Sequence, residues 1–459
     1  MDVIMIGAGY VGLTTGACLA ELGHNVTCVD NDALKVARLK RAEIPIYEPG
    51  LSELIRKHVD AGRLSFSDEP AEVAHKADLA FIAVGTPSGP DGDIDLSYVK
   101  SAASGLARLL KEGAVIVIKS TVVAGTAKMV RELVEKARGR SDVYVASNPE
   151  FLREGSAIED FLEADRIVVG TDDEHAAGVL AELYEPLRAK GIPFITTSTT
   201  NAEMIKYAAN AFLALKIGFI NEVADLCEAA GGDVAAVAEG IGLDRRIGRA
   251  FLNAGPGFGG SCFPKDTRAF AATGRRFGQP QVIVESLIDR NEARKATLAK
   301  RILAELQDTG KRVAILGTAF KANTDDVRDS AALTVMPLLK KAGIKISAHD
   351  PKARHETERH VEGVSWTDCP YEAASKADAV VILTEWEEYA KLDLERLAKA
   401  MNGQALLDFR NLFDPGSVTR HGLRYVSIGR RPATPITKIK SRRTGAGSGN
   451  WNEVAAAPA

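Results

Sequence analysis

Short runs of β-branched and other apolar residues alternate along this chain with longer stretches in which apolar positions recur at helical spacing. Val3 to Ile6 reads as a buried strand, Val11 to Leu22 as a helix and Val26 to Val29 as the next strand. Leu79 to Val84, Ala114 to Ile118 and Val143 to Ala146 repeat the strand pattern, each followed by a turn signal and helical periodicity. Such alternation predicts an α/β architecture with parallel sheets, and residues 1–198 read as one doubly wound domain.

From Thr199 to Ala230 the pattern changes: proline is absent, Ala and Leu dominate, and apolar positions keep helical spacing. A helix of that length would reach roughly 45 Å at 1.5 Å per residue, which suits a spine between two domains. Residues 199–308 are therefore read as a central helical region that also holds a Gly-rich run, Gly255 to Gly260. Strand–helix alternation resumes with Val313 to Gly317, Ala331 to Ala342 and Ile344 to Ala348, and Val380 to Leu383 and Ala405 to Asp408 add two strands. This predicts a second Rossmann-like domain over 309–430, with no obvious sequence repeat of the first. The predicted fold is two Rossmann-like doubly wound domains joined by a long central helix. Residues 431–459, carrying Pro, Gly, Ser and basic residues and then Ala-rich sequence, read as a disordered tail.

Composition narrows the function classes. Of 459 residues, 58 are basic and 61 acidic, for a net charge of −3, with 46% hydrophobic. That balance argues against a protein built to bind nucleic acid or an anionic membrane. Five scattered cysteines (Cys18, Cys28, Cys227, Cys262, Cys369) form no CxxC pair, so neither a metal knuckle nor a disulfide framework is expected, and the chain reads as cytoplasmic. No apolar run is long enough to span a membrane, and the N-terminus, with Asp2 and no basic n-region, does not read as a secretory leader.

The opening Gly7-Ala8-Gly9-Tyr10-Val11-Gly12 lies between a predicted strand and a predicted helix, and Asp30 ends the second strand, 18 residues beyond Gly12. Gly7 permits the tight turn, Gly9 lets backbone approach a pyrophosphate, and Gly12 allows close helix–strand packing. Asp30 would accept hydrogen bonds from ribose hydroxyls and repel a 2′-phosphate, so NAD is expected rather than NADP.

In Gly259-Gly260-Ser261-Cys262-Phe263-Pro264-Lys265-Asp266, paired glycines expose backbone beside a cysteine and charged residues follow. An exposed turn near cations lowers a thiol pKa and favours the thiolate, although a buried inert thiol is the commoner fate of a cysteine. Lys206 and Asn210, four apart on the long helix, share a face. They either line a solvated groove or donate to a developing oxyanion. Asn148-Pro149-Glu150-Phe151-Leu152-Arg153-Glu154-Gly155 follows a strand end, where ligands bind in open α/β sheets.

These motifs, with Tyr47-Glu48-Pro49-Gly50, Val84-Gly85-Thr86-Pro87, Ser120-Thr121-Val122, Ala319-Phe320-Lys321 and Thr324-Asp325-Asp326-Val327-Arg328, resemble the UDP-glucose/GDP-mannose dehydrogenase family from Met1 to about Tyr425. Ala322 and Ala331 depart from it, where relatives often carry proline. The run Phe251 to Gly259 resembles the UDP-glucose branch more closely than the GDP-mannose branch, which is the nearest alternative. A catalytically silent nucleotide-sugar sensor is the alternative from another class, although such a protein need not keep Cys262, Lys206, Asn210 and Asp266 together.

The resemblance implies oxidation of a nucleotide-sugar C6 alcohol to a carboxylate with two NAD in succession, supplying a precursor for polysaccharide synthesis. By it, Cys262 is the nucleophile, Lys206 and Asn210 stabilise oxyanions, Asp266 assists through water, and Glu150 and Thr121 position water and substrate. NAD would meet the Gly7–Gly12 turn, Asp30, Lys35, Thr86, Thr121, Glu154, Lys265 and Arg328. The UDP-sugar would meet Glu150 to Glu154, Lys206, Asn210, Phe251, Asn253, Gly257, Gly259, Phe320, Lys321 and Arg410. Arg246 would reach the substrate of a neighbouring subunit, which implies a homodimer built around the long helix.

Overall fold

The computed structural model describes residues 1–89, 91–306 and 311–435. Strands β1 (Asp2–Ile6), β2 (Asn25–Val29), β3 (Leu64–Ser67), β4 (Leu79–Ile82), β5 (Val115–Ile118), β6 (Tyr144–Ser147), β7 (Ile167–Gly170) and β8 (Phe194–Thr197) form one sheet in the order β3-β2-β1-β4-β5-β6-β7-β8. Strands β9 (Arg312–Leu316), β10 (Lys345–His349), β11 (Ser365–Trp366), β12 (Ala379–Ile382), β13 (Ala405–Asp408) and β14 (Arg424–Ser427) form a second, in the order β11-β10-β9-β12-β13-β14. In both sheets the strand order reverses beside the first strand, which opens the crevice where doubly wound folds bind ligands.

The apolar runs form central strands because both faces of each are covered. Val3, Met5, Leu79, Phe81, Val115 and Val117 pack into one core, and the intervening Ile4, Ala80, Ile82, Ile116 and Ile118 into the core on the other face. The second sheet repeats this, with Val313, Ile315 and Val381 on one side and Ala314, Leu316 and Val380 on the other. The sheets are parallel as expected, with one exception: β7 meets β6 antiparallel at Ser147 and Gly170, then pairs parallel with β8. Five strands were missed: β3, β8, β11 and β14 are short and at sheet edges, where the apolar signal is weak, and β7, though buried, is only four residues long.

The long helix spans Thr199–Ala230. Ser198 caps it by accepting the N–H of Asn201, and it stops at Gly231, whose φ of 82° is left-handed. Its first half lies against the first sheet's β7, while Ile220 and Ala224 of its second half join the core of the second sheet. It therefore fixes how the two crevices face each other. A helix Phe263–Arg276, carrying the cysteine loop at its start, packs along it.

The expected tail start after Arg430 is corrected. Ala433 pairs with Tyr425 through reciprocal backbone hydrogen bonds of 2.9 and 2.8 Å, so the chain is still tied to the second sheet's edge strand at residue 433. The rest of the expected disordered tail, 436–459, and the expected boundary at 308/309 lie outside the described residues. Among the described residues no helix is long and apolar enough to cross a membrane.

Candidate active site

A cavity of about 1150 Å³ opens where the two sheets, the long helix and the cysteine loop converge. Its walls include Glu150 to Glu154 from the loop after β6, Lys206 and Asn210 from the long helix, and Phe251, Asn253, Gly257, Gly259 and Cys262 from the Gly-rich segment. Phe320, Lys321 and Arg410 close it from the second domain. Residues more than 250 positions apart in sequence thus line one space.

The chemistry concentrates around a buried ion pair. Lys206 Nζ lies 3.0 Å from a Glu150 carboxylate oxygen, with both side chains almost wholly buried. Glu150 also accepts the Leu152 N–H at 2.6 Å. Burial alone would raise the Glu150 pKa, but Lys206, that N–H and Lys119 outweigh it and hold the carboxyl below its ordinary value. For Lys206 burial works against the charge, and Glu150, Cys262 and Asp266 outweigh it, so the ammonium persists. Asn210 Nδ2 donates to Asp266 Oδ2 at 2.6 Å, and Lys265 Nζ donates to the other oxygen at 2.6 Å. Lys206 and Asn210 are therefore not solvated groove residues; both are buried donors on the cavity face of the helix.

Cys262 ends the glycine turn and directly precedes the helix Phe263–Arg276. The turn is tight for a visible reason: a Cβ on Gly260, at φ 82°, would meet the Phe320 ring at 2.6 Å, and one on Gly259 would meet the Asp329 carbonyl at 2.5 Å. The expectation of an activated thiolate does not hold in this state. Burial, then Glu150 and Asp266, push the thiol up to about 11, against the opposing pull of Lys206. The helix N-terminus favours the thiolate by only about 0.3–1 kcal/mol, less than one pKa unit, too little to reverse two nearby carboxylates. Lys265, expected as a nearby cation, spends its charge on Asp266.

The dinucleotide turn lies at the C-terminal end of β1, outside the cavity walls. Gly7, at φ 102°, has its would-be Cβ 2.6 Å from the Ala83 carbonyl, and a Cβ on Gly12 would collide with the Gly7 carbonyl at 1.8 Å. A Cβ on Gly9 would point into open space, so glycine there leaves a cradle that a pyrophosphate can occupy. Asp30, nearly buried, accepts the N–H groups of Ala8 and Asp32 and pairs with Lys35 at 2.9 Å. Burial works against its charge, but Lys35 and the two N–H groups keep its pKa low. Thr86 Oγ1 donates to the Thr121 carbonyl at 3.0 Å, joining the loops after β4 and β5. These residues fit a dinucleotide with unphosphorylated ribose.

Glu154 stands where the three parts meet. It accepts Ser261 Oγ at 2.8 Å and Thr324 Oγ1 at 3.3 Å, with Arg328 at 3.7 Å. Burial and then Asp326 raise its pKa to about 7. Arg153 pairs with Asp160 at 2.5 Å on the cavity rim, and Asn253 accepts from Arg249 at 2.7 Å. Arg410 donates to the Leu383 carbonyl at 2.8 Å and to the Phe320 carbonyl, pairs with Glu385 at 2.9 Å, and lines the cavity together with Lys321. Arg246 is not part of this chain's site: it is exposed, paired with Asp244 at 2.6 Å. Thr86, Thr121, Asp30, Lys35, Lys265, Asp266 and Arg328 are likewise not on the cavity wall.

Two buried residues escaped the sequence reading. Lys119 follows the wholly apolar β5, donates to Asn148 Oδ1 at 3.1 Å, and has its pKa pulled by burial to about 8. A lysine closing such a strand was a usable signal, since burial of lysine is rare. Glu203, one turn before Lys206, accepts the N–H groups of Gly125 and Ala127 at 2.7 Å and so caps the helix Thr126–Arg138. Nothing in its own neighbourhood of sequence points to that partner.

The chain matches the UDP-glucose/GDP-mannose dehydrogenase family in its NAD binding domain over residues 1–188, its central domain over 200–293 and its UDP binding domain over 314–415. It is 48% identical to the UDP-glucose 6-dehydrogenase of Rhizobium meliloti over 435 residues, covering 94% of this chain and 100% of that one. It is 44% identical to the UDP-glucose 6-dehydrogenase TuaD of Bacillus subtilis, covering 95% and 94%. Among solved structures it resembles a UDP-glucose dehydrogenase from the archaeon Pyrobaculum islandicum, with TM-score 0.84, 40% identity, and coverage of 93% and 96%. With a fingerprint turn in one crevice, cations in the other and a cysteine between them, the chain belongs to the UDP-glucose/GDP-mannose dehydrogenase family.

Proposed function

We propose that this chain oxidises UDP-glucose to UDP-glucuronate with two NAD, through a covalent bond to Cys262. The observation that carries the reading is the convergence of Cys262, the Lys206–Glu150 pair and Asn210 on one cavity, with Asp266 holding Asn210 from behind the wall. NAD, when bound, supplies the hydride acceptor for both oxidations.

The chain's own groups account for the rest. Lys206 and Asn210 donate to the C6 oxygen, where negative charge develops as the alcohol loses its proton. An aldehyde cannot give up a hydride to become an acid until a nucleophile has made it tetrahedral. Cys262 Sγ adds to the aldehyde carbon, its S–H proton leaving as the C–S bond forms, so that the adduct carries an oxyanion facing Lys206 and Asn210; this thiohemiacetal anion then loses hydride and becomes a thioester. Water, positioned by Glu150 and Thr121 with help from Asp266, attacks that carbon; the C–S bond breaks, the thiol regains a proton and the carboxylate is released. Since the resting thiol is protonated, addition must be coupled to proton removal, and Glu150, which helps to raise the thiol pKa and lines the same cavity, is the acceptor assigned to it.

NAD is held by the Gly7–Gly12 turn, Asp30, Lys35, Thr86, Thr121, Lys265 and Arg328, and the UDP-sugar by the cavity residues, with Lys321 and Arg410 on the diphosphate. The working unit is a homodimer in the cytoplasm. In support, Phe212, Phe219 and Leu226 expose one apolar stripe at seven-residue spacing along the long helix, and all five cysteines are free thiols. Arg246 of one protomer would complete the substrate site of the other. The test is the NADH yield: purified protein should give two NADH per UDP-glucose, prefer it over GDP-mannose, and sediment as at least a dimer. A protein that binds both ligands yet forms no NADH would be the silent sensor instead.

A further inference from the structure

The Tyr47-Glu48-Pro49-Gly50 motif has no part in the chemistry above, yet Glu48 sits between the two ligand sites. Its side chain is 5% exposed. One carboxylate oxygen accepts from the Tyr10 hydroxyl and from the Gly155 N–H at 2.6 Å, and the other accepts the Ala157 N–H at 2.8 Å. Tyr10 is the first residue of the helix that follows Gly9, so its ring moves with the dinucleotide turn. Gly155 follows Glu154, which accepts from Ser261, the neighbour of Cys262, and from Thr324 of the second domain.

The loop has little room to move independently. Gly155 has φ 85°, and a Cβ there would meet the Asn323 carbonyl at 2.8 Å, so it is pressed against the second domain. Next to Glu48, the Lys352 ammonium lies 4.5 Å from the centre of the Tyr47 ring, a second contact between this motif and that domain. A carboxylate suits the position because it offers only acceptors, enough for three donors; an amide would turn N–H groups toward N–H groups.

We propose that Glu48 is a positioning residue that couples the cofactor and sugar sites: through Tyr10 it fixes the dinucleotide turn, and through Gly155 and Ala157 it fixes the loop that presents Glu154 to Ser261 and Thr324. The inference rests on the ligand placements proposed above. Because the loop is braced on both sides, a shift imposed by a ligand in one site is passed through Glu48 to the other, and the effect is reciprocal.

The test is calorimetric titration of the full chain with NAD, alone and with saturating UDP-glucuronate, a product with no C6 hydride left to transfer. Wild type should bind NAD at least ~5-fold more tightly in the presence of the product. In Glu48→Gln and in Tyr10→Phe the enhancement should fall to within about 2-fold of none, while UDP-glucuronate alone binds each within about 3-fold of wild type. Folded variants that keep the wild-type enhancement would overturn the proposal, as would a wild type with none. If Glu48→Gln does not fold, Tyr10→Phe, which removes one oxygen, decides alone. Failure of the underlying activity is scored separately, as a wild type that forms no NADH from UDP-glucose.

Discussion

Reaction of Cys262 with iodoacetamide in the absence of substrate should be slow and should keep rising with pH far above neutrality. The alkylating species is the thiolate, so the rate follows its fraction. With the thiol pKa at about 11, that fraction at pH 8 is about 0.1%, against about a quarter for an unperturbed cysteine with pKa near 8.5. Modification should therefore run more than ~100-fold slower than that of a short cysteine peptide, and its logarithm should climb with unit slope to beyond pH 10. Glu150→Gln removes one of the groups that raise the thiol and should speed the reaction; Lys206→Met removes the opposing cation and should slow it. The assay is quantitative mass spectrometry of the peptide spanning Cys262 after timed quenching. Restricted access scales the rate equally at every pH and cannot create a plateau. A rate that levels off by pH 8 would refute the reasoning, as would a slower Glu150→Gln.

Glu203→Ala orphans the buried N–H groups of Gly125 and Ala127, which should cost about 2–4 kcal/mol in urea denaturation, at 1–3 per lost partner with partial relaxation. Gly260→Ala must hold a left-handed φ, at about 1–2 kcal/mol, and push the Phe320 ring aside; denaturation should show about 2–4 kcal/mol of loss in total, with kcat/KM for UDP-glucose down at least ~10-fold. Asp30→Ser should weaken NAD and also free Lys35 from its 2.9 Å pair to meet a 2′-phosphate, so initial rates with NAD and NADP should converge from a wild-type gap of at least ~100-fold.

How far the sequence disclosed this molecule depends on whether a feature is local. The helix Thr199–Ala230 was legible because 32 residues of uninterrupted apolar periodicity have few other solutions. The fingerprint was legible because its three glycines stand within six residues, between a strand and a helix that the local pattern already marks. The second domain hides the same device. Gly317 follows β9 at φ 89°, and Asp350 after β10 accepts the N–H groups of Thr318 and Ala319, as Asp30 accepts that of Ala8. The repeat is invisible in sequence because Ala319 stands where the first domain has the open Gly9, leaving no G-x-G. The thiol was misread for a related reason. Lys265 is adjacent in sequence, whereas Glu150 arrives from 112 positions away and Asp266 turns back along its helix, and these decide the electrostatics. Long-range placement likewise brought the Gly155 and Ala157 N–H groups to Glu48, more than 100 positions away.

The central claim is that Cys262 forms the bond that lets an aldehyde be oxidised by hydride loss. The most direct measurement offers the C6 aldehyde of UDP-glucose, with saturating NAD, to Cys262→Ala and follows NADH by absorbance. Wild type should yield one NADH per aldehyde, and the variant, folded and still binding UDP-glucose, should be slower by at least ~10³-fold, about 4 kcal/mol of lost barrier reduction. Aldehyde oxidation by Cys262→Ala at a rate near that of wild type would contradict the account.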